Sequence, residues 1–188
     1  MTAKTTAKKT ETSSPAPKLE ANPFQHEILE LVSKQRTNAL KAKYLQEYRN
    51  DALVSLLIWN FDDSVISLLP EGEVPYSKVD DITSGNDTLS KSIEKQIGSS
   101  SIDQEFIRNQ RTSLRKECEN FHLFVKGGND SLSKIKRESI FIQMLEGLHP
   151  LEAELICLVK DKKLSTKYKV TLDLVKEAYP DIRWGGRS

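Results

Sequence analysis

Phe121-His122-Leu123-Phe124-Val125-Lys126-Gly127-Gly128-Asn129-Asp130 opens the stretch that decides the fold. From there to Ile182 the chain repeats one pattern, an apolar stripe at helical spacing followed by a stop signal. Gly127-Gly128 terminates whatever precedes it, since glycine permits the left-handed conformation of a helix C-cap. Asp130 or Ser131 is expected to start the next helix, with Leu132, Ile135, Ile140, Phe141, Met144, Leu145 and Leu148 facing inward in a run that reaches Gly147. His149-Pro150 then restarts the chain at a new angle, because proline suits a first helical turn and not a helix interior. Leu151, Leu155, Ile156, Leu158 and Val159 mark a helix that stops at Asp161-Lys162-Lys163. Thr171 or Asp173 opens a last short helix, closed by Pro180.

Working outward, Asn22-Pro23 reads as a helix opening, with Phe24, Ile28, Leu31, Val32 and Gln35 on one stripe, which places a helix at about 23–36. A second is expected from Thr37 to Tyr48. Asn50 or Asp51 caps a third, the apolar run Ala52 to Trp59, whose neighbours make Trp59 a core residue. Phe61 to Ser64 reads as a turn, Val65 to Leu69 as a short helical segment stopped at Pro70-Glu71-Gly72, and residues 73–101 as a long polar loop with a weak helix around Thr88 to Gln96. From Ile102, residues Phe106, Ile107, Leu114, Cys118, Phe121 and Val125 share one face of a predicted helix down to the glycine pair. Strand signals are weak and no internal repeat is visible. The expectation is an all-α fold: a single compact domain of six to eight short helices over 21–182, a disordered N-terminal tail at 1–20 and a short C-terminal tail at 183–188.

Composition narrows the function classes. The 188 residues hold 28 Lys and Arg against 27 Asp and Glu, a net charge of +1, which argues against capture by nucleic acid through bulk charge. The distribution is uneven: residues 1–20 sum to +2, 21–125 to −4 and 126–188 to +3. The first twenty residues carry Lys4, Lys8, Lys9 and Lys18 and only one large aliphatic side chain after Met1, Leu19. They have too little apolar area to offset their ordering entropy, and no apolar run of the kind a secretory signal requires. The longest apolar run, Ala52 to Trp59, is far short of the ~20 residues that cross a bilayer, so no membrane association is expected. Two cysteines imply no disulfide framework.

No catalytic constellation stands out. Gly127-Gly128-Asn129-Asp130 lacks the strand, lysine and hydroxyl of a phosphate-binding loop, and a helix-to-helix turn is the simpler reading. Cys118 and His122 lie one helical turn apart and, with His149 and Cys157, could suggest a thiol–imidazole pair or zinc. Neither follows a recognised spacing, and Cys118 falls on the apolar stripe. Asp62, Asp63, Glu71, Glu73, Asp80, Asp81 and Asp87 make an acidic middle that lacks calcium-loop order and reads as a solvated surface or a docking face for a basic partner. No enzyme activity, cofactor or metal is expected. The best functional candidates are cations. Lys160, Lys162, Lys163, Lys167 and Lys169 sit on or beside a ten-residue connector that is expected to project as a cationic loop, with Tyr168 available for stacking. Lys134, Lys136 and Arg137 form a possible second row. The connector is too long for a helix-turn-helix turn of ~3–4 residues. Trp184, before Gly185-Gly186, is expected to tuck back onto the domain.

Five blocks carry a family resemblance: Leu68-Leu69-Pro70-Glu71-Gly72, Phe124 to Asn129, Ile142 to Leu155, Lys160 to Leu164, and Leu174-Val175-Lys176-Glu177-Ala178-Tyr179-Pro180. Over about residues 24–182, and most strongly after Phe121, the chain resembles an uncharacterised family of T-even-like tailed bacteriophages, marine cyanophages among them. The resemblance implies a phage protein of the infected host's cytoplasm or of the virion, and it brings no functional residue with it. The N-terminal tail and the Trp184-Gly185-Gly186-Arg187 ending depart from the pattern and leave the roles of both ends open. Together these readings lead to a non-enzymatic helical binding module that contacts a protein or nucleic-acid partner during infection, with a virion structural or assembly protein as the alternative.

Overall fold

The computed structural model describes residues 19–74 and 112–187. Most of the expected tail at 1–20 and polar loop at 73–101, the weak helix around Thr88 to Gln96, and the first part of the helix expected from Ile102 lie outside the described residues.

Local capping explains most of the helices that are present. Asn50 accepts a hydrogen bond from the Leu53 N–H at 3.0 Å and starts α3 (Asp51–Phe61), while Thr37 accepts from Leu40 N–H and starts α2 (Asn38–Glu47). Ser133 starts α5 (Lys134–Gly147), Thr171 starts α8 (Leu172–Ala178), and His149 caps α6 (Pro150–Lys160) by accepting from Leu151 N–H, with Pro150 at the first helical position. Three helices begin otherwise; in one, α7 (Leu164–Lys167), the Leu164 N–H donates to Asn60 Oδ1 at 3.0 Å. Neither Phe24, before α1 (Gln25–Lys34), nor Ser113, before α4 (Leu114–Glu117), offers a side-chain cap. Both are capped from a distance by Glu152 of α6, which accepts from Gln25 N–H at 2.9 Å and Leu114 N–H at 2.8 Å. The cap expected at Asn22-Pro23 is not used. The short α7 completes eight α-helices among the described residues, which contain two isolated β-bridges and no strand.

The all-α expectation holds, with α3 and α6 packed together at the centre. Ala52, Leu53, Leu56, Leu57 and Trp59 of α3 and Ala153, Leu155, Ile156 and Val159 of α6 are buried in one continuous core. α1 lies against α6 and α2, and α2 against α8. The α2–α8 seam is closed by polar contacts. Tyr179 donates its hydroxyl to the Leu45 carbonyl at 2.5 Å, Gln46 donates to the Ala178 carbonyl at 3.0 Å, and Arg49 grips both oxygens of Asp181 while lying 4.9 Å from the Tyr179 ring centre.

Several expectations are corrected. Val65 to Leu69 is extended: Leu68 N–H donates to the Phe124 carbonyl and Lys126 N–H to the Ile66 carbonyl, an antiparallel bridge that a helix would forgo. Within the described part of the helix expected down to Val125, the chain is α-helical at Leu114–Glu117 and tightens to a 3-10 helix at Cys118–Phe124. Side chains three apart eclipse in that geometry, so Phe121 and Phe124 both reach the Trp59 ring, at centroid distances of 5.8 and 6.2 Å. Helix α5 starts later than Asp130, whose carboxylate instead accepts from Gly127 N–H. Ile135, expected inward, is 80% exposed, and Arg137 takes the interior because its guanidinium donates to the Leu123 and Asn129 carbonyls flanking the glycine turn. Gly127 has φ of 83°, and a Cβ on Gly128 would sit 1.9 Å from the His122 carbonyl oxygen.

The C-terminal segment folds back, as expected for Trp184, which is half-buried against the core. Asp62 anchors it by accepting from Gly185 N–H at 3.0 Å and from Arg187 Nη1 at 2.6 Å, while Ser64 caps the same carboxylate. Burial pushes the Asp62 carboxyl up, but these donors outweigh it and hold the group at about 2. No helix among the described residues is long and apolar enough to cross a membrane.

Burial raises the Glu152 carboxyl to about 7, although its two amide donors pull the other way. A raised acid stabilises the fold fully below the unfolded value near 4.5 and loses that contribution as pH rises through about 7. Urea midpoints between about pH 5 and pH 7.5 should therefore fall in the native chain, and Glu152→Gln should flatten that slope while lowering stability overall by about 1–3 kcal/mol, since its amide group meets one backbone N–H as a second donor. Gly128→Ala, forced against backbone, should cost about 1–3 kcal/mol in the same measurement.

Candidate functional site

The C-terminal end of α1 is finished by its own side chains. Ser33 Oγ donates to the Leu29 carbonyl at 2.6 Å and Gln35 Nε2 to the Leu31 carbonyl at 2.9 Å, so the chain leaves the helix at Gln35 and turns through Arg36 into α2. This turn displays Lys34, Arg36 and, one turn into α2, Lys41. Facing it is the stretch that follows α7. Tyr168 and Val170 are fully buried and Lys169 between them is exposed, the alternation of an extended segment with one face in the core. Two hydrogen bonds stitch these walls together: Lys169 N–H donates to Ser33 Oγ at 3.2 Å, and Lys41 Nζ donates to the Lys169 carbonyl at 2.8 Å.

Between the walls lies an open trough of about 680 Å³, lined among the described residues by Lys34, Arg36, Lys41, Lys167 and Lys169 against one carboxylate, Glu30. Lys34 is paired with Glu30 at 3.6 Å on a solvated face, and Lys167 with Glu154 at 2.6 Å. Arg36, Lys41 and Lys169 have no carboxylate partner among the described residues. The trough therefore carries a local excess of positive charge in a chain whose total is only +1.

The eight cations expected to form a contact surface are divided by the fold. Lys167 and Lys169 enter the trough. Lys160 does not, for its side chain is 1% exposed and its ammonium is held by the Pro70 and Gly72 carbonyls at 2.9 and 3.0 Å and by Asp161 at 2.5 Å. It staples the Pro70–Gly72 turn to α6. Lys162, at φ of 55°, donates to the Asp62 carbonyl at 2.9 Å and lies 3.8 Å from Asp63. Lys163 is exposed at the start of α7. On α5, Lys134 faces Glu138 at 3.9 Å, Lys136 is exposed, and Arg137 is buried on backbone carbonyls. The connector does not project as a loop: Leu164, Tyr168 and Val170 bury it, and Tyr168, at 1% exposure, offers no face to a base. The tyrosine hydroxyl is raised by burial and by Glu154, Glu30 and Glu152 nearby.

Sequence reading missed Lys34, Arg36 and Lys41. A signal was present, since four cations and no carboxylate lie between Glu30 and Glu47, but it vanishes in the −4 sum over 21–125.

The other candidates are taken up by structure. Cys118 Sγ donates to the Arg115 carbonyl, and burial raises the thiol; His122 Nδ1 lies 2.7 Å from the Glu119 carbonyl oxygen. Cys157 is pushed up to about 12 by burial. Among the described residues no three His, Cys, Asp or Glu side chains gather as a metal site. Of the acidic middle, Asp62 is the C-terminal anchor, while Asp80, Asp81 and Asp87 lie outside the described residues.

No curated protein and no solved structure matches the chain. A family model matches residues 28–97 and 101–166, a span that takes in the first wall of the trough and stops one residue short of Lys167. On that match the chain belongs to a family of unknown function, DUF6433.

Proposed function

We propose that this chain is a non-enzymatic helical binding module of a tailed bacteriophage, which contacts an anionic partner in the infected cell through the trough between α1, α2 and the 167–169 segment. The phage setting rests on the resemblance of Leu68–Gly72, Phe124–Asn129 and Ile142–Leu155 to proteins of T-even-like phages. The single observation that supports the binding role is the meeting of five cations, from two parts of the chain more than a hundred residues apart, around one open concavity. Concave clusters of one sign focus field lines and raise the local concentration of an opposite charge. Among the described residues the lining side chains are Lys, Arg, Gln, Ser, Tyr and one Glu, a set suited to holding an anion and lacking a histidine or cysteine to act as base or nucleophile.

Immobilised heparin, a generic polyanion, tests this reading. The native chain should be retained despite its near-neutral charge, and Arg36→Ala/Lys169→Ala should elute at clearly lower salt. Lys134→Ala/Lys136→Ala on α5 should leave the elution position almost unchanged. Equal elution of the native and trough variants would remove the assigned role.

A further inference from the structure

We infer that the partner of the trough is the phosphodiester backbone of duplex DNA, bound without regard to sequence. The inference rests on the proposed anion-binding role and names the partner class for that same site.

Three features of the lining distinguish this partner from others of like charge. A protein–protein interface of any strength needs desolvated apolar or aromatic anchors at its centre. Among the described residues the trough offers none, since the exposed large apolar side chains, Leu40, Ile66 and Ile135, do not line it. Phosphate backbones need no such anchor, because their binding is driven by counterion release. Single-stranded nucleic acid is held by stacking unpaired bases on exposed aromatic faces. The one aromatic of the lining among the described residues, Tyr168, is 1% exposed and has its ring in the core, so a strand with free bases finds no platform there. Base edges in a groove are read by amide side chains and by paired guanidinium donors. Gln35, the one amide of the lining among the described residues, turns its Nε2 back onto the Leu31 carbonyl, and four of the five cations are lysines, which meet phosphate as point charges.

The site is also built ahead of its ligand. Lys41 Nζ is held on the Lys169 carbonyl, and the backbone N–H of Lys169 on Ser33 Oγ, so the protein's own bonds set the spacing of the two walls and the place of the Lys41 ammonium. Pre-set cations lose less side-chain freedom on binding than cations gathered by the ligand.

The test is a fluorescence-anisotropy titration of the full chain against a labelled duplex of about 20 base pairs, at several salt concentrations between about 50 and 200 mM. With three cations free of carboxylates and two in ion pairs, the slope of log K against log salt should fall between about −2.7 and −4.5. That slope is a loss of about 40- to 500-fold across the range. Arg36→Ala and Lys169→Ala should each flatten it by about 0.9, Lys163→Ala should not, and circular dichroism should show all three folded. Two duplexes of unrelated sequence should bind alike. Tighter binding to a labelled oligo-dT strand of the same length, or a strong preference between the two duplexes, would overturn the assignment to the duplex backbone. Binding to poly-glutamate with no binding to DNA would assign the trough to an acidic protein, overturning this inference while leaving the anion-binding role standing. Binding to neither, with heparin retention unaffected by the trough variants, would overturn both.

Discussion

One buried carboxylate holds the arrangement together. Glu152, fully buried in the first turn of α6, accepts hydrogen bonds from the first amides of α1 and α4, neither of which is met by the side chain of the residue before it. Three helix starts converge on it. The Gln25 contact spans 127 residues of sequence and the Leu114 contact 38, so the group fixes how the N-terminal helix and the segment before the 3-10 turn sit on the central helix. An orphaned helix amide in the interior costs free energy comparable to a lost hydrogen bond, and Glu152 satisfies two at once. The cost is an ionisable group held out of water, seen in its raised pKa. Beside it, Phe24, His26 and His149 stack with ring centroids 5.1 to 5.6 Å apart, which fills the space around the helix starts with aromatic surface.

Placement of α1 in turn places the trough. Because α1 is anchored at its start by Glu152 and runs along α6 and α2, its last turn arrives beside the segment that leaves α7, where Ser33 and Lys41 can take up Lys169. The far wall is set by burial. Tyr168 and Val170 are driven into the core on either side of Lys169, which turns the lysine outward with no freedom to choose. Cationic display at this place is thus a by-product of core packing on one side and helix termination on the other.

Lysines and arginines serve two separate purposes here. Lys160 and Arg137 are interior fasteners, each satisfying backbone carbonyls that a tight turn leaves unpaired, and Asp62 does the same for the amides of the returning C-terminal segment. A charged side chain in such a position is retained because removing it would strand several polar groups, not because it meets a partner. The cations of the trough satisfy few internal groups and remain open to solvent.

How much of this was legible depends on the range of the forces involved. Asn50, Thr37, His149-Pro150 and Thr171 cap helices through contacts two or three residues away, so α2, α3, α6 and α8 could be read from local residues, as could the core position of Trp59 and the return of Trp184. Where a local preference met a distant partner, the distant partner prevailed. Val65 to Leu69 gave up its helical pattern for backbone bonds with Phe124 and Lys126, Ile135 surrendered the interior to Arg137, and the 161–170 connector was folded in by Leu164, Tyr168 and Val170. The eight proposed contact cations could be listed from the sequence but not sorted, since a lysine beside a turn looks the same whether it faces water or a ring of carbonyls. Linear order determined α2, α3, α6 and α8 with their capped starts, and the all-α class, because periodicity and capping act within a few residues. The tertiary structure alone decided which cations meet, which are buried and what caps α1, because those outcomes depend on groups that packing brings together from opposite ends of the chain.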